Sequence, residues 1–304
     1  MLLPWPTDLT REHPELTGHA LVRSALGVIA SRPKRGERRS LACRTAVGMF
    51  RLQQVVDLLQ RALDAHGGLE KWKAAEQVRV RLGGGGRLFD VRLQGRTISR
   101  ATRSGAVVHF STDFPRAMFE GFPRPGYQGY FDEGAVRIES DQADRPLSRA
   151  NAREAFSHVS HKLKWDTLDA LYFIGYALWN YVSTPFMLAR PGFQLREGEP
   201  WHEAGETWRR LEAIFPSDIP THSRNQTFFF DERGLLRRLD YTAEVFSRWA
   251  RSSNCCYDYR EMSGVMVPTR RKVTLRGPGG RPLPWPTMVW IQIQDFELVE
   301  RPTA

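Results

Sequence analysis

The sequence contains little cysteine. Its 304 residues include only Cys43, Cys255 and Cys256, an odd number of which two are adjacent. Adjacent cysteines rarely bond to each other because the resulting ring is strained, and the spacing matches no zinc-binding pattern. This composition argues against a disulfide-stabilised domain and favours a reducing compartment.

The first residues also lack the basic segment and apolar core that direct secretion. Met1 is followed by Pro4, Trp5, Pro6 and Asp8, and no lipidation motif is present. Together with the cysteine content, this start predicts a cytoplasmic protein.

Motifs for cofactors and for common catalytic machinery are missing. Gly83–Gly86 is followed neither by the Lys-Ser/Thr pair of a P-loop nor by the spacing of a dinucleotide-binding fingerprint. No G-x-S-x-G sequence precedes Ser223. Trp201-His202-Glu203 does not form the H-E-x-x-H zinc motif. We therefore expect no cofactor.

Acidic residues are fewer than basic ones, 34 against 44, which gives a formal net charge of +10. Such a balance can indicate a nucleic-acid or anionic partner. Here the charge is spread along the chain, and strand alternation directs neighbouring side chains to opposite faces. We expect no nucleic-acid partner, because none of the basic clusters makes a one-sided patch. These clusters are Arg209-Arg210, Arg237-Arg238 and Arg270-Arg271-Lys272.

Residues 1–48 differ from the rest of the chain, since they are rich in arginine and proline and show no periodicity. We predict that they form a disordered arm, or an extension from an upstream start codon with Met49 as the alternative start. Residues 50–66 carry apolar side chains at helical spacing and end at Gly67-Gly68, which predicts a helix. We predict a single domain over 49–304.

Most of the remaining chain predicts short strands with intervening turns. Gly83–Gly86 is predicted to be a turn or bulge, and residues 141–164 a loop with a short helix. Strands are predicted at 77–82, 87–93, 97–102, 107–111, 127–131, 135–139, 206–215, 226–230, 235–242, 255–261, 265–275 and 287–298. Short turns between consecutive strands require antiparallel pairing. This number of strands exceeds what a flat sheet accommodates, so we expect the sheet to curl.

One stretch contrasts with this pattern. Residues 170–189 contain no charge and six aromatic residues. The length would cross a bilayer, but Asn180, Ser183 and Thr184 are polar, and Pro185 disfavours helical geometry at the residue before it. We predict a buried aromatic helix that ends near Ser183. Laid on the concave face of a curled sheet, such a helix would enclose a cavity.

Several segments resemble an uncharacterised bacterial family whose architecture is similar to the LolA and LppX lipoprotein-carrier fold. The resemblance extends over about residues 50–300, and LolA-type carriers are exported. It implies an α+β fold, namely a strongly curved antiparallel sheet, or unclosed barrel, whose concave face is covered by helices and holds acyl chains. The segments are 65–74 (AHGGLEKWKA), 169–188, 199–211 (EPWHEAGETWRRL), 221–241 and 264–273 (GVMVPTRRKV).

The polar candidates lie in the second group of strands. His222, Asp240 and Tyr241 could form an acid–base set for an enzyme that acts on an apolar substrate. Arginines near a cavity mouth could instead bind a phosphate or carboxylate head group, and a third interpretation makes all of these side chains structural. The predicted ligand-binding residues are Tyr172, Tyr176, Trp179, Trp208, Arg224 and Arg270.

A metal site is a weaker hypothesis. His158 and His161 are three residues apart, with Asp166 and Asp169 downstream, and two histidines without a fixed third ligand are a poor signal. We expect no metal.

The leading hypothesis is a soluble protein that binds a lipid or another apolar small molecule, without stable membrane insertion. The alternative is the enzyme described above.

Overall fold

The computed structural model describes residues 53–141 and 145–301. Within them, thirteen strands form one antiparallel sheet. The strands are β1 (Ala75–Gly85), β2 (Ala106–Ser111), β3 (Arg116–Glu120), β4 (Gln128–Asp132), β5 (Ala135–Glu139), β6 (Leu147–Arg149), β7 (Gln194–Glu203), β8 (Glu206–Ile214), β9 (Asn225–Phe230), β10 (Leu236–Thr242), β11 (Arg251–Met262), β12 (Val265–Arg276) and β13 (Pro282–Glu300).

The sheet follows the chain in two meanders that join at its middle. Strands β1 to β6 run outward on one side and β13 back to β7 on the other, with β1 paired antiparallel to β13. Strands β6 and β7 are the two edges, so the sheet is not closed into a barrel. The predicted α+β fold with an unclosed antiparallel sheet is confirmed.

The aromatic helix follows edge strand β6 in the chain and packs against β3, β4, β5 and β6. Helix α6 (Thr167–Ser183) begins with a capping box in which Asp166 and Asp169 each bond the other's backbone N–H, which satisfies exposed donors of its first turn. It ends at Ser183, because Thr184 precedes Pro185 and takes an extended conformation. The predicted helix and its end are confirmed.

Close packing holds α6 against the sheet. An added Cβ at Gly175 would lie 2.5 Å from the Cβ of Phe131 on β4, and one at Gly129 would lie 3.0 Å from Leu171. Both glycines therefore allow helix and strand to approach closely. In the part of the chain that the structure describes, no helix has the length and apolar character needed to cross a membrane.

A second helical segment contributes to the same core. Residues 53–65 are helical and form α1, which buries Val55, Leu58, Ala62 and Leu63. The chain then turns through Gly67 and Gly68, whose φ angles are 111° and 90°, and enters α2 (Leu69–Ala74). The predicted helix over 50–66 is confirmed for its described part, and residues 1–48 lie outside the described residues.

Two predicted strands are wrong. Residues 87–93 and 97–102 contribute to two short helices, α3 (Arg87–Val91) and α4 (Gly95–Thr102). The adjacent residues Leu88 and Phe89 are both buried, which a strand with one covered face would not allow. On α4, Ile98, Ala101 and Thr102 share the helical i, i+3, i+4 spacing. The alternation was too short to distinguish the two periods.

The sheet also extends further than predicted. Strands β3, β6 and β7 were missed, and Gly83–Gly85 continue β1 in register with β13 rather than making a turn. Trp201-His202-Glu203 belongs to β7. Pairing with neighbouring strands stabilises these segments despite their polar or glycine-rich composition, which local patterns do not reveal. Helix α5 (Val159–Leu163) is the short helix that was predicted within residues 141–164.

Candidate functional site

A cavity lies between α6, the α3–α4 pair and the strands at the middle of the sheet. It holds ≈ 660 Å³ of empty space, including the part that is open to solvent. Its walls are largely apolar, and α3 and α4 contribute Phe89, Ile98 and Ala101 to them. The sheet contributes mainly Leu82, Ala106, Phe119, Val289, Trp290 and Ile291.

One face of α6 forms the opposite wall of this cavity. Phe173, Ile174, Ala177, Leu178 and Tyr181 line it. At 3.6 residues per turn these positions fall on a single side of the helix. The aromatic helix therefore lines a cavity through this face.

The predicted ligand-binding aromatics lie on the other face of α6. Tyr172 packs against Phe131 and Phe156, with ring centroids 6.0 and 5.8 Å away. The indole N–H of Trp179 donates to the carbonyl oxygen of Ser111 at 2.9 Å. Tyr172, Tyr176 and Trp179 are buried and do not line the cavity.

Behind the cavity wall lies an uncharged cluster, here called the inner cluster, formed by Tyr176, Tyr181, His222 and Tyr241. The Nδ1 atom of His222 is 3.0 Å from the Tyr176 hydroxyl, and its Nε2 atom is 2.8 Å from the Tyr181 hydroxyl. The hydroxyls of Tyr181 and Tyr241 are 2.7 Å apart. The rings of His222 and Tyr241 stack with centroids 3.9 Å apart.

Burial determines the protonation state of this cluster. It lowers the pKa of His222 to about 3, with a smaller contribution in the same direction from Arg153. Burial also raises the pKa of Tyr176, Tyr181 and Tyr241. At neutral pH the imidazole is therefore uncharged, with one donor and one acceptor nitrogen. Both nitrogens already have tyrosine partners, so His222 has no free base nitrogen.

Asp240 lies in a different cluster on the other side of β10. Its carboxylate accepts two hydrogen bonds from Arg238, both at 2.8 Å, one from Arg276 at 2.9 Å and one from Ser253 at 2.6 Å. Arg238 also donates to Glu203 at 2.6 Å. We call this set of Glu203, Arg238, Asp240, Ser253 and Arg276 the outer cluster.

The outer cluster is covered by aromatic side chains. The Arg238 guanidinium lies 4.9 Å from the ring centroid of Trp201 and 4.3 Å from that of Phe229. Trp208 packs nearby, with its ring 6.4 Å from Phe229, and its indole N–H donates to Glu206 at 2.7 Å. Trp208, a predicted ligand-binding residue, therefore lies outside the cavity.

The predicted acid–base set is divided by the sheet. His222 and Tyr241 are in contact in the inner cluster, while Asp240 is fully engaged in the outer one. Adjacent strand residues point to opposite faces, which separates Asp240 from Tyr241. The structure therefore does not bring the three side chains together.

The two predicted head-group arginines also lie away from the cavity wall. Arg224 is exposed and donates to the carbonyl oxygen of Phe215 at 3.1 Å. Arg270 pairs with Asp258 at 2.6 Å. Its neighbour Arg271 points inward instead.

Arg271 is the inward arginine that sequence reasoning missed. It is buried, donates to the carbonyl oxygen of Tyr181 at 2.9 Å and lies 3.1 Å from the sulfur of Cys256. The alternation of β12 shows that one of the two adjacent arginines must face the helix. Only the pairing of the strands shows that it is Arg271.

The residues of the metal hypothesis cap α6. His161, Asp166 and Asp169 place ligand atoms within 4.8 Å of one another, but the position between the carboxylates is taken by a cation of the chain itself. Arg149 donates to Asp169 and to Asp166, each at 2.6 Å, and His161 lies 2.6 Å from Asp169. The group forms an ion-paired helix cap.

No protein-family model and no curated protein matches this chain. Solved structures do match it. A LolA superfamily protein of Nitrosomonas europaea is 11% identical over 82% of this chain and 94% of its own, with a TM-score of 0.45. A DUF1329 family protein of Desulfovibrio piger is 10% identical over 80% and 92%, with a TM-score of 0.44.

The lipoprotein LppX of Mycobacterium tuberculosis is 10% identical over 81% of this chain and 97% of its own, with a TM-score of 0.25. All three TM-scores are below 0.5, and each sequence identity is 11% or lower.

Proposed function

We propose that this protein binds an apolar small molecule, such as the acyl chain of a lipid, in the cavity between α6 and the α3–α4 pair. The observation that carries the proposal is the apolar wall of this cavity. Contact with such a wall removes apolar ligand surface from water, which is the main favourable contribution to binding.

Three polar side chains of the wall, those of Thr102, Glu120 and Tyr181, already have partners. The Thr102 hydroxyl lies 3.0 Å from the carbonyl oxygen of Gly84, and a Glu120 oxygen lies 2.7 Å from His109. The Tyr181 hydroxyl is bonded within the inner cluster. Groups that are already satisfied gain little from a polar ligand. The wall therefore favours a ligand that is apolar over most of its length.

The structure gives no support to the acid–base alternative. His222 has both nitrogens bonded to tyrosines and is buried, and Asp240 neutralises two arginines. We therefore do not propose catalysis by these residues. A cytoplasmic location remains a prediction from the sequence, and fractionation of the native host tests it.

Two substitutions on α4 test the binding proposal. Ala101 lines the cavity, and Ser99, two residues earlier, is exposed. We expect Ala101→Trp to fill the cavity and to weaken binding of the neutral fluorophore N-phenyl-1-naphthylamine about tenfold or more, because the indole takes the space of the probe. Ser99→Trp adds the same side chain outside and should bind as the unmodified protein does.

The two variants also control for folding, since thermal unfolding is followed for both. If Ala101→Trp unfolds normally and binds the probe unchanged, the cavity is not the binding site. Mass spectrometry of organic extracts from the purified protein then gives an independent check. We expect a stoichiometric apolar molecule in the unmodified protein and in Ser99→Trp, and its loss in Ala101→Trp.

A further inference from the structure

The outer surface of the α3–α4 pair, here called the basic cap (residues 87–103), is strongly basic. It contains five arginines and one acidic residue, Asp90. None of the five arginines forms an ion pair with another described residue. The arginines are Arg87, Arg92, Arg96, Arg100 and Arg103.

The basic cap has two distinct sides. On α4, Ile98 and Ala101 point into the cavity, while Arg96 and Arg100 are exposed. Arg96 and Arg100 are four residues apart and therefore lie on the same face of the helix. The cap thus covers the cavity with its apolar side and presents a cationic side to solvent.

An apolar tip projects from the turn between the two helices. The side chains of Val91 and Leu93 are 53% and 65% exposed. Leu93 has a φ angle of 62°, a left-handed conformation that non-glycine residues other than Asn, Asp and His seldom adopt. A single exposed leucine needs no explanation, but here two apolar residues are flanked by Arg87, Arg92 and Arg96 within a few positions.

We propose that the basic cap is a docking surface for an anionic lipid bilayer. The exposed arginines would pair with lipid phosphates, and Val91 and Leu93 would enter the interfacial region. Trp290, 45% exposed, lies at the edge of the same cavity beside Gly85. Tryptophan is favoured at membrane interfaces, so this position extends the surface to the cavity mouth.

A bilayer explains the tip better than a nucleic acid does. Basic charge alone would suit either partner, but Val91 and Leu93 would stay in water beside a phosphate backbone. Within residues 87–103 the aromatic Phe89 is buried, so the cap itself offers no ring for base stacking and Trp290 lies beside it. The charge and exposure of the cap carry the inference, and its role in supplying the cavity with ligand rests on the function proposed above.

Sedimentation with vesicles tests the charge of the cap. The full chain is mixed with vesicles of phosphatidylcholine, either alone or with one third phosphatidylglycerol. We expect binding only to the anionic vesicles, weakened by salt, and a loss of roughly thirtyfold in Arg96→Glu/Arg100→Glu. The matched control, Arg233→Glu/Arg281→Glu, changes the same charge at exposed positions on other hairpins and should lose much less.

Equal loss in the two double variants would overturn the proposal, because binding would then follow net charge. Equal binding to neutral vesicles would overturn it as well. Tighter retention on double-stranded DNA than on anionic vesicles at the same salt would assign the cap to nucleic acid instead.

Leu93→Asn tests the apolar tip by itself. Asparagine tolerates the left-handed conformation, so the variant should fold normally while removing apolar contact with the bilayer. We expect severalfold weaker sedimentation with anionic vesicles at unchanged net charge. Unchanged sedimentation would exclude the tip from the docking surface.

The proposal for the cavity and the proposal for the cap can be contradicted independently of each other. Arg96→Glu/Arg100→Glu should still bind N-phenyl-1-naphthylamine, and Ala101→Trp should still sediment with anionic vesicles. If the first variant loses vesicles and keeps the probe, the cap is a docking surface separate from the cavity. If no variant changes binding of the probe but the cap variants no longer sediment with vesicles, the docking surface is supported. The proposal that the cavity binds the ligand is then contradicted.

Discussion

The inner and outer clusters are separated by one strand and have opposite chemistry. Tyr241 lies in a neutral network of hydroxyls and an imidazole, while Asp240, its neighbour in sequence, lies in a network of buried charges. Both are almost inaccessible to water. The difference shows that the sheet has a covered outer face as well as a helix-covered inner face on this side.

The two clusters should also respond differently to mutation. The inner cluster can lose one hydroxyl and remain uncharged. Removal of the Asp240 carboxylate breaks the ion pair of Arg276 and leaves Arg238 with Glu203 alone in a buried site, which costs more than the pair contributes.

Asp240→Ala should have the largest effect. It leaves Arg238 and Arg276 without this partner, and we expect the free energy of unfolding to fall by about 3–5 kcal/mol. Urea denaturation at neutral pH measures it. Asp132→Ala is the matched control, because Asp132 also pairs with an arginine, Arg116, but is more than half exposed. It should change stability little.

A loss no larger than that of Asp132→Ala would contradict the burial of the outer cluster. Arg238 would then have reached water or another partner in the variant. Such a result would remove the contrast between the two faces.

The inner cluster should make stability depend on pH. The folded-state pKa of His222 is about 3, below its ordinary value of 6.5. The unfolded state therefore binds more protons between these values, and folding stability falls as the pH is lowered through this window. From pH 7 to pH 5 we expect His222 to account for a loss of about 2 kcal/mol.

His222→Phe isolates this contribution, because it keeps a ring next to Tyr241 and removes the titrating group. His66, whose pKa burial lowers to about 4, titrates in both proteins and cancels in the difference. Urea denaturation at pH 7 and pH 5 should show a smaller acid loss in the variant. Parallel loss in the two proteins would mean that His222 can be protonated in the folded state.

The sequence alone could predict part of this arrangement. The uncharged run of 170–189 was sufficient to predict α6, its burial and its end before Pro185. It could not show which face of α6 meets the cavity, since aromatics occur all round the helix. That choice depends on Gly175 and Gly129, which let one side approach β4, and this is a tertiary contact.

The alternation of side chains along the strands also predicts part of the site and leaves part of it undecided. It separates Arg270 from Arg271 and Asp240 from Tyr241, but it does not say which member of each pair faces inward. That depends on pairing across β10, β11 and β12. The α3–α4 cap was missed because two or three apolar positions fit either period.

Tyr241→Phe should have the smallest effect. The phenyl ring can still stack on His222, and the Tyr181 hydroxyl keeps its bond to the imidazole. Only the bond between the two tyrosine hydroxyls is lost, so we expect about 1 kcal/mol less stability at neutral pH. A loss near that of Asp240→Ala would show that the hydroxyls and the imidazole act as one cooperative network. The two faces would then differ in charge but not in how strongly they depend on a single side chain.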